Sequence, residues 1–332
     1  MTVRLGLAFA AGLALPDDGQ VALFRPGQDF DLTSLPRDRV RVLHGFRPDF
    51  DHFERFGLPV TANPDGRYTL SVVSLPKSKP QARALIWQAL SHTDGPVVVD
   101  GQKTDGIDSM LKAIRKRVPV SDAVSKAHGK LFWFHANPSD FADWAPQPTE
   151  LNGGWITEPG CFSADGPDPA SALLADTLPE KLGKHVVDLG AGWGYLSARV
   201  LANPSVAQLD LVEAEHVALD CARRNVEDSR ARFHWADALH WTPEARPDAI
   251  VMNPPFHTGR AADPALGRAF IAAAARMLPQ HGVLWMVANR HLPYETTLDA
   301  QFGDWAEITG DNRFKIFRAA RPTRQVRRSR LS

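Results

Sequence analysis

The stretch Val186-Val187-Asp188-Leu189-Gly190-Ala191-Gly192-Trp193-Gly194 most narrows what the chain can fold into. A short apolar run ending in alternating glycines predicts a buried strand over His185–Leu189, a tight turn, and a helix opening at Tyr195. Glycines let the backbone turn sharply and approach a ligand closely, and the first N–H groups of the helix face whatever binds. A dinucleotide site would prefer glycine at position 195, where this chain has tyrosine. The carboxylate of Asp188 at the strand end repels pyrophosphate and suits a cationic ligand.

The second half continues the alternation that such a turn needs. Ala170–Leu178, His216–Asn225 and Ala265–Met277 read as helices, and Leu209–Val212, Arg232–Trp235, Ala249–Met252 and Val283–Val287 as strands. Trp305–Thr309 and Arg313–Ala319 read as a closing hairpin. Glu213 ends the second strand, 25 residues after Asp188, where a carboxylate can accept both hydroxyls of a ribose. Asp237 follows the third strand and can accept from an adenine amino group. Singly, each acid reads as a cap or a solvated side chain; together they stand in order at the strand ends of one sheet. With Asp-x-Gly-x-Gly-x-Gly they resemble motif I of class I methyltransferases. The ligand of that motif, S-adenosylmethionine, has a sulfonium, an amino group and no phosphate. The expected cofactor contacts are Asp188, Gly190, Gly192, Gly194, Glu213 and Asp237.

Asn253-Pro254-Pro255-Phe256 follows the fourth strand. Two prolines stiffen the turn and fix φ. The Asn253 side-chain oxygen and the Pro254 carbonyl can accept the two hydrogens of a planar, conjugated amine, whose lone pair is otherwise a poor nucleophile. Phe256 offers a face on which a base stacks, worth roughly 1–3 kcal/mol. With an already activated methyl donor, positioning supplies most of the catalysis and no strong general base is needed. The expected catalytic residues are Asn253, Pro254 and Phe256. His257 is a weaker candidate, since a histidine beside such a loop is more often a structural donor.

The first half also alternates. Val21–Phe24, Val40–Leu43, Tyr68–Leu75, Val97–Asp100 and Leu131–His135 read as strands, and Pro80–Leu90 and Ile107–Arg117 as helices. This predicts a second α/β layer with a largely parallel sheet and no glycine loop. Leu5–Leu15 reads as a short buried element leading into Val21–Phe24 rather than a leader. Prolines and glycines crowd residues 137–160, with Trp144 and Trp155 among them, predicting a linker whose aromatics dock on a domain.

At 332 residues, two domains are expected. The even total of 38 basic and 38 acidic side chains hides an uneven distribution. Residues 151–312 carry 12 basic and 21 acidic side chains, whereas residues 313–332 carry eight basic and none acidic. The tail, with Arg324, Arg327, Arg328 and Arg330, reads either as a phosphate-binding segment or as a solvated terminus. Lys112, Arg115, Lys116 and Arg117 end a helix, where the dipole favours them regardless of any ligand. Two cysteines, Cys161 and Cys221, exclude a disulfide framework and fit a reducing cytoplasm. No Cys/His spacing suggests a metal, and no apolar run is long enough for a membrane span.

Three further motifs are more specific: Pro159-Gly160-Cys161-Phe162-Ser163-Ala164-Asp165-Gly166, then Val287-Ala288-Asn289 with Leu292-Pro293-Tyr294, then Arg313-Phe314-Lys315-Ile316-Phe317-Arg318-Ala319. With them the chain resembles the bacterial 16S rRNA guanine-N2 methyltransferase C family over about residues 155–321. Leu75-Pro76-Lys77-Ser78-Lys79-Pro80 is similar to that family's first domain. The resemblance implies two tandem class I methyltransferase-like (Rossmann-like) α/β domains, the first degenerate and without cofactor, the second with a C-terminal antiparallel hairpin. The expected boundaries are 1–136, a linker at 137–160, a catalytic domain at 161–321 and a basic tail at 322–332.

The implied reaction is methyl transfer from S-adenosylmethionine to N2 of a guanine in 16S rRNA. The implied partner is that rRNA or the small ribosomal subunit. The oligomeric state stays open; two halves are enough for a monomer, expected in the cytoplasm. By position, Asp188, Gly190, Gly192 and Glu213 carry over as cofactor contacts, and Asn253, Pro254 and Phe256 as the substrate clamp. Phe162 and Asp165 stand where they fold over cofactor or base, or only pack and turn. Trp193 is bulkier than that family's loop usually carries, and either covers the cofactor or packs outside. Two other readings stay open: a glutamine-N5 protein methyltransferase, and an RNA-binding or assembly module without turnover.

Overall fold

The computed structural model describes residues 3–255 and 264–323. The chain divides into two units, Met1–Pro148 with Glu158–Gly160, and Thr149–Thr157 with Cys161–Ser332.

In the first unit, strands β1 (Val21–Phe24), β2 (Val40–Leu43), β3 (Val60–Thr61), β4 (Leu70–Ser74), β5 (Val97–Gln102), β6 (Val124–Lys126) and β7 (Gly129–Phe134) form one sheet. Their order is β3-β2-β1-β4-β5-β7-β6. β1 to β5 run parallel, and β7 is antiparallel to β5 and β6. The helices are α1 (Arg4–Ala10), α2 (Arg47–Arg55), α3 (Lys79–His92) and α4 (Ile107–Arg115). β1 is buried at every residue, as a central strand covered on both faces must be. Ile107, Met110, Leu111 and Ile114 are all buried on α4, as their spacing predicts.

The expected element at Leu5–Leu15 overlaps α1, which starts at Arg4 and buries Arg4, Leu5 and Ala8. Its Arg4 Nε donates to Asp100 Oδ1 at 2.5 Å. The strand expected at Leu131–His135 is β7, and it runs antiparallel; β6, its hairpin partner at the sheet edge, was not predicted. The hairpin turns on Ala127 and His128 at φ 49° and 58°. That geometry usually calls for Asn-Gly, so the sequence carries no turn signature there. After β1, where a glycine loop would stand, the chain reads Arg25-Pro26-Gly27. Phe141 and Trp144, from the proline-rich stretch, pack into this unit's core.

The second unit opens with a small hairpin, β8 (Thr149–Glu150) and β9 (Ile156–Thr157). Its main sheet contains β10 (His185–Leu189), β11 (Gln208–Glu213), β12 (Ala231–Trp235), β13 (Ala249–Met252), β14 (Val283–Asn289), β15 (Phe302–Gly310) and β16 (Phe314–Pro322). The order is β12-β11-β10-β13-β14-β16-β15, the same arrangement as in the first unit. β10 to β14 are parallel, and β16 is antiparallel to β14 and β15. The helices are α5 (Pro169–Thr177), α6 (Tyr195–Leu201), α7 (His216–Asn225), α8 (Pro264–Met277) and α9 (Glu295–Gln301).

Strand alternation divides this unit's core between the two faces of the sheet. Val187, Leu189, Ile250 and Met252 pack with α8 and α9 residues such as Ile271 and Leu298. Val186, Leu209, Ala249 and Val251 pack with Leu174, Leu196 and Ala222 from α5, α6 and α7. The strand order reverses between β10 and β13. Ligands of open α/β sheets bind in that crevice, outside the carboxyl ends of the strands. Asp188 nearly ends β10, and Asn253 follows β13 directly.

Candidate active site

The glycine loop follows from backbone geometry that only glycine takes freely. Gly190, Gly192 and Gly194 stand at φ 85°, 57° and 92°. The Gly190 and Ala191 amides both donate to the Val212 carbonyl, at 2.8 and 3.1 Å, pinning the turn to β11. The glycines have different spatial duties. A Cβ at Gly194 would stand 2.9 Å from Val226 Cγ2 and 3.3 Å from Ala222 Cα, so this glycine lets α7 approach. At Gly192 nothing lies within 4 Å of a Cβ, so the space beside it is open.

Asp188 lies under this loop and is fully buried. Its Oδ2 accepts from Ser197 Oγ at 2.6 Å. Its Oδ1 has no hydrogen-bond partner among the described residues. Burial pushes the carboxyl up to about 7; the Ser197 bond opposes this and the nearby Glu213 charge adds to it. Glu213 is also held above the usual carboxylate range by burial, against the backbone amides that bond it. Those amides belong to Gly192, at 2.8 Å from Oε2, and Glu215, at 2.7 Å from Oε1. Asp237 uses its carboxylate within its own turn. Oδ1 accepts from Leu239 N at 2.9 Å, and Oδ2 lies 2.6 Å from His240 Nδ1.

Asn253 reaches across to the start of α5. Its Nδ2 donates to Asp168 Oδ2 at 2.8 Å and to Ser171 Oγ at 2.9 Å. Pro254 is buried beside it. A cleft of about 50 Å³ is lined by Gly190, Gly192, Trp193, Asn253 and, from the 161–171 segment, Phe162 and Asp168 among others. Phe162 is 60% exposed, a large apolar side chain left uncovered at the rim. Asp165 is not among the lining residues; it lies in the turn that closes with Gly166 N donating to Ser163 O at 3.2 Å. Phe256 and His257 lie outside the described residues.

Trp193, the bulky member of the loop, packs inward. It is buried and donates from Nε1 to the Phe162 carbonyl at 3.0 Å. Its ring lies 5.6 Å from Trp155 and 5.8 Å from Tyr195. Asn225 ties the same region together: Nδ2 donates to the Trp193 and Ile156 carbonyls, each at 2.8 Å, and Oδ1 accepts from Ile156 N at 2.7 Å.

Sequence reasoning missed Asp168, Ser171, Ser197 and Asn225. Asp168 did carry a signal, because Asp-Pro before an apolar helix is an N-cap followed by proline at N1. The other three are short polar residues inside helices, where nothing local marks a partner far along the chain.

A larger cavity, about 580 Å³, is lined by Arg246, Arg276, Gln301 and Pro322 among others. It sits where the parallel strands begin, and no expected site residue lines it. Among the described residues no group of three or more His, Cys, Asp or Glu could hold a metal ion. None of their helices is long and apolar enough to cross a membrane.

The methyltransferase small domain model matches residues 153–318, the span that carries the glycine loop, the 161–171 segment and Asn253. The ribosomal RNA small subunit methyltransferase C of Shewanella sp. (strain MR-4) is 30% identical over 264 residues, covering 76% of this chain and 77% of that protein. The protein of the same name from Escherichia coli (strain SMS-3-5 / SECEC) is 31% identical over 282 residues, covering 82% and 81%. The chain belongs to the ribosomal RNA small subunit methyltransferase C family.

A solved relative is the T. thermophilus 16S rRNA N2 G1207 methyltransferase in complex with AdoMet and guanosine. It is 25% identical, with a TM-score of 0.74 over 93% of this chain and 90% of that one. That match covers both units, in keeping with two sheets of the same strand order. Family membership thus extends to the half of the chain that lacks a glycine loop.

Proposed function

We propose that this chain transfers a methyl group from S-adenosylmethionine to the exocyclic N2 amine of a guanine in 16S rRNA. One observation carries the reading. The amide nitrogen of Asn253 is committed to Asp168 and Ser171, so the group left for a substrate at the β13 end is the oxygen, a hydrogen-bond acceptor. An acceptor is what an amine needs.

The residues fit the cofactor on two counts. Asp188 Oδ1 is a fully buried carboxylate oxygen without a partner among the described residues, and the space beside Gly192 is open. A cationic ligand bearing N–H donors answers both. Asp188, the Gly190–Gly194 loop and Glu213 would hold it, with Asp237 beside its base. When bound, S-adenosylmethionine supplies an electrophilic methyl group on a sulfonium.

The protein's own part is to hold the amine. Asn253 Oδ1 and the Pro254 carbonyl accept its two hydrogens and turn the nitrogen lone pair toward the methyl group, while Phe256 stacks on the base. Such orientation replaces a costly encounter with a prepared one. A proton becomes acidic only after nitrogen is alkylated, and it leaves to water. A paired guanine must first be splayed from its stack to reach this clamp. Phe162, exposed at the rim, is suited to cover the base or the cofactor.

The proposed substrate is the rRNA alone or within the small ribosomal subunit. A monomer in the cytoplasm suffices, because one chain supplies every named residue. In Asn253→Ala, methyl transfer is expected to be abolished while cofactor affinity stays near wild type. Full activity in that variant would refute the amine clamp.

A further inference from the structure

We infer that Asp168 and Ser171 are positioning residues that decide which end of the Asn253 amide meets the substrate. The inference rests on the proposed role of Asn253 as the amine acceptor.

A primary amide is nearly symmetric in shape but opposite in function at its two ends. Rotated by half a turn, Asn253 would aim N–H donors at an exocyclic amine, and donor would face donor. The clamp therefore needs a neighbour that tells oxygen from nitrogen. An ionised carboxylate does so, because it only accepts. Asp168 Oδ2 lies 2.8 Å from Asn253 Nδ2, and Ser171 Oγ lies 2.9 Å from the same nitrogen.

The carboxylate is itself fixed. The same Oδ2 caps α5 by accepting from Ser171 N at 2.9 Å, and Pro169 stands in the first turn of that helix. A rigid helix start thus holds a rigid acceptor, and residues 82 and 85 positions away in sequence set the orientation of Asn253. Charge acts in the same direction. A carboxylate on the N–H side of an amide polarises it and makes the carbonyl oxygen a stronger acceptor. That gain is largest as the substrate nitrogen becomes cationic, so it favours the transition state over the bound substrate.

Asp168→Ser separates this role from simple capping. Serine is as good an N-cap as aspartate, but its hydroxyl donates as well as accepts, so the Asn253 amide is free to sit either way round. The expected result is a Tm close to wild type, unchanged S-adenosylmethionine affinity, an unchanged KM for unmodified small subunits, and a kcat lower on the order of 10–100-fold. Ser171→Ala is expected to lower kcat several-fold in the same pattern. A merely structural role would move Tm without splitting kcat from KM.

Wild-type kcat in Asp168→Ser, with Asn253→Ala inactive, would overturn the inference and leave the clamp standing. Full activity in Asn253→Ala would overturn the clamp and this inference with it. Should Asp168→Ser fail to fold, wild-type kcat in Ser171→Ala would count against the inference.

Discussion

Glu213 Oε2 accepts the amide N–H of Gly192 at 2.8 Å, so the end of one strand holds the turn that leaves its neighbour. The other oxygen accepts from Glu215 N at 2.7 Å. Both bonds are charge-assisted in the ionised state. The residue expected to hold a ribose thus also shapes the loop beneath the ligand.

Glu213→Ala removes both bonds at once. Hydrogen bonds to charged groups contribute about 1.5–3 kcal/mol each. Calorimetry should show S-adenosylmethionine affinity weakened at least tenfold, together with a lower Tm for the free protein. Unchanged affinity would separate Glu213 from the cofactor site.

The glycines should respond differently to one methyl group. Gly194→Ala meets Val226 and Ala222 at a φ of 92°, so thermal melting should show a loss of about 1–3 kcal/mol. Gly192→Ala has open space around the added methyl, so it should melt closer to wild type yet bind S-adenosylmethionine poorly. Equal effects of both variants on melting and binding would contradict this division.

Asp188 gives the free protein a pH dependence. Its folded pKa is about 7, raised above the ordinary 3.8 chiefly by burial. Between these values the folded state holds a proton that the unfolded state has lost, so this contribution to stability declines as pH rises from about 4 to about 7. Asp188→Asn cannot ionise. Its melting temperature relative to wild type should therefore climb across that window and level off above it. A difference that stays flat with pH would rule out the buried acid.

Asp210 gives the opposite sign. Burial would raise its pKa, but bonds from His185 at 2.6 Å, His234 at 2.8 Å and Gln208 at 3.2 Å outweigh it and hold the carboxyl well below its usual range. Its stabilisation is present above about pH 4 and fades as pH falls toward the depressed value. Asp210→Asn should melt several degrees below wild type near pH 6, and the gap should narrow in acid. A gap that widens in acid would contradict the depressed pKa.

Local patterns made part of this molecule readable in sequence. The apolar run before Gly190, the acid at 188 and the Asn-Pro-Pro turn each announce a strand end, and the parallel topology brings those ends to one crevice. The turn between β6 and β7 was silent because Ala127 and His128 adopt a conformation that their side chains do not advertise. The Asn253–Asp168 pair was silent for another reason: its partners are 85 residues apart, and only the folded sheet makes them neighbours. Trp193 could not be placed by composition, since its contacts with Trp155 and the Phe162 carbonyl arise from packing.

Donor, acceptor atom and substrate are all tested by one assay. Unmodified small ribosomal subunits are incubated with the protein and methyl-labelled S-adenosylmethionine, then the rRNA is digested and its nucleosides separated. The predicted result is label in N2-methylguanosine from 16S rRNA. Label in protein glutamine, or no labelled nucleoside despite measurable cofactor binding, would contradict it.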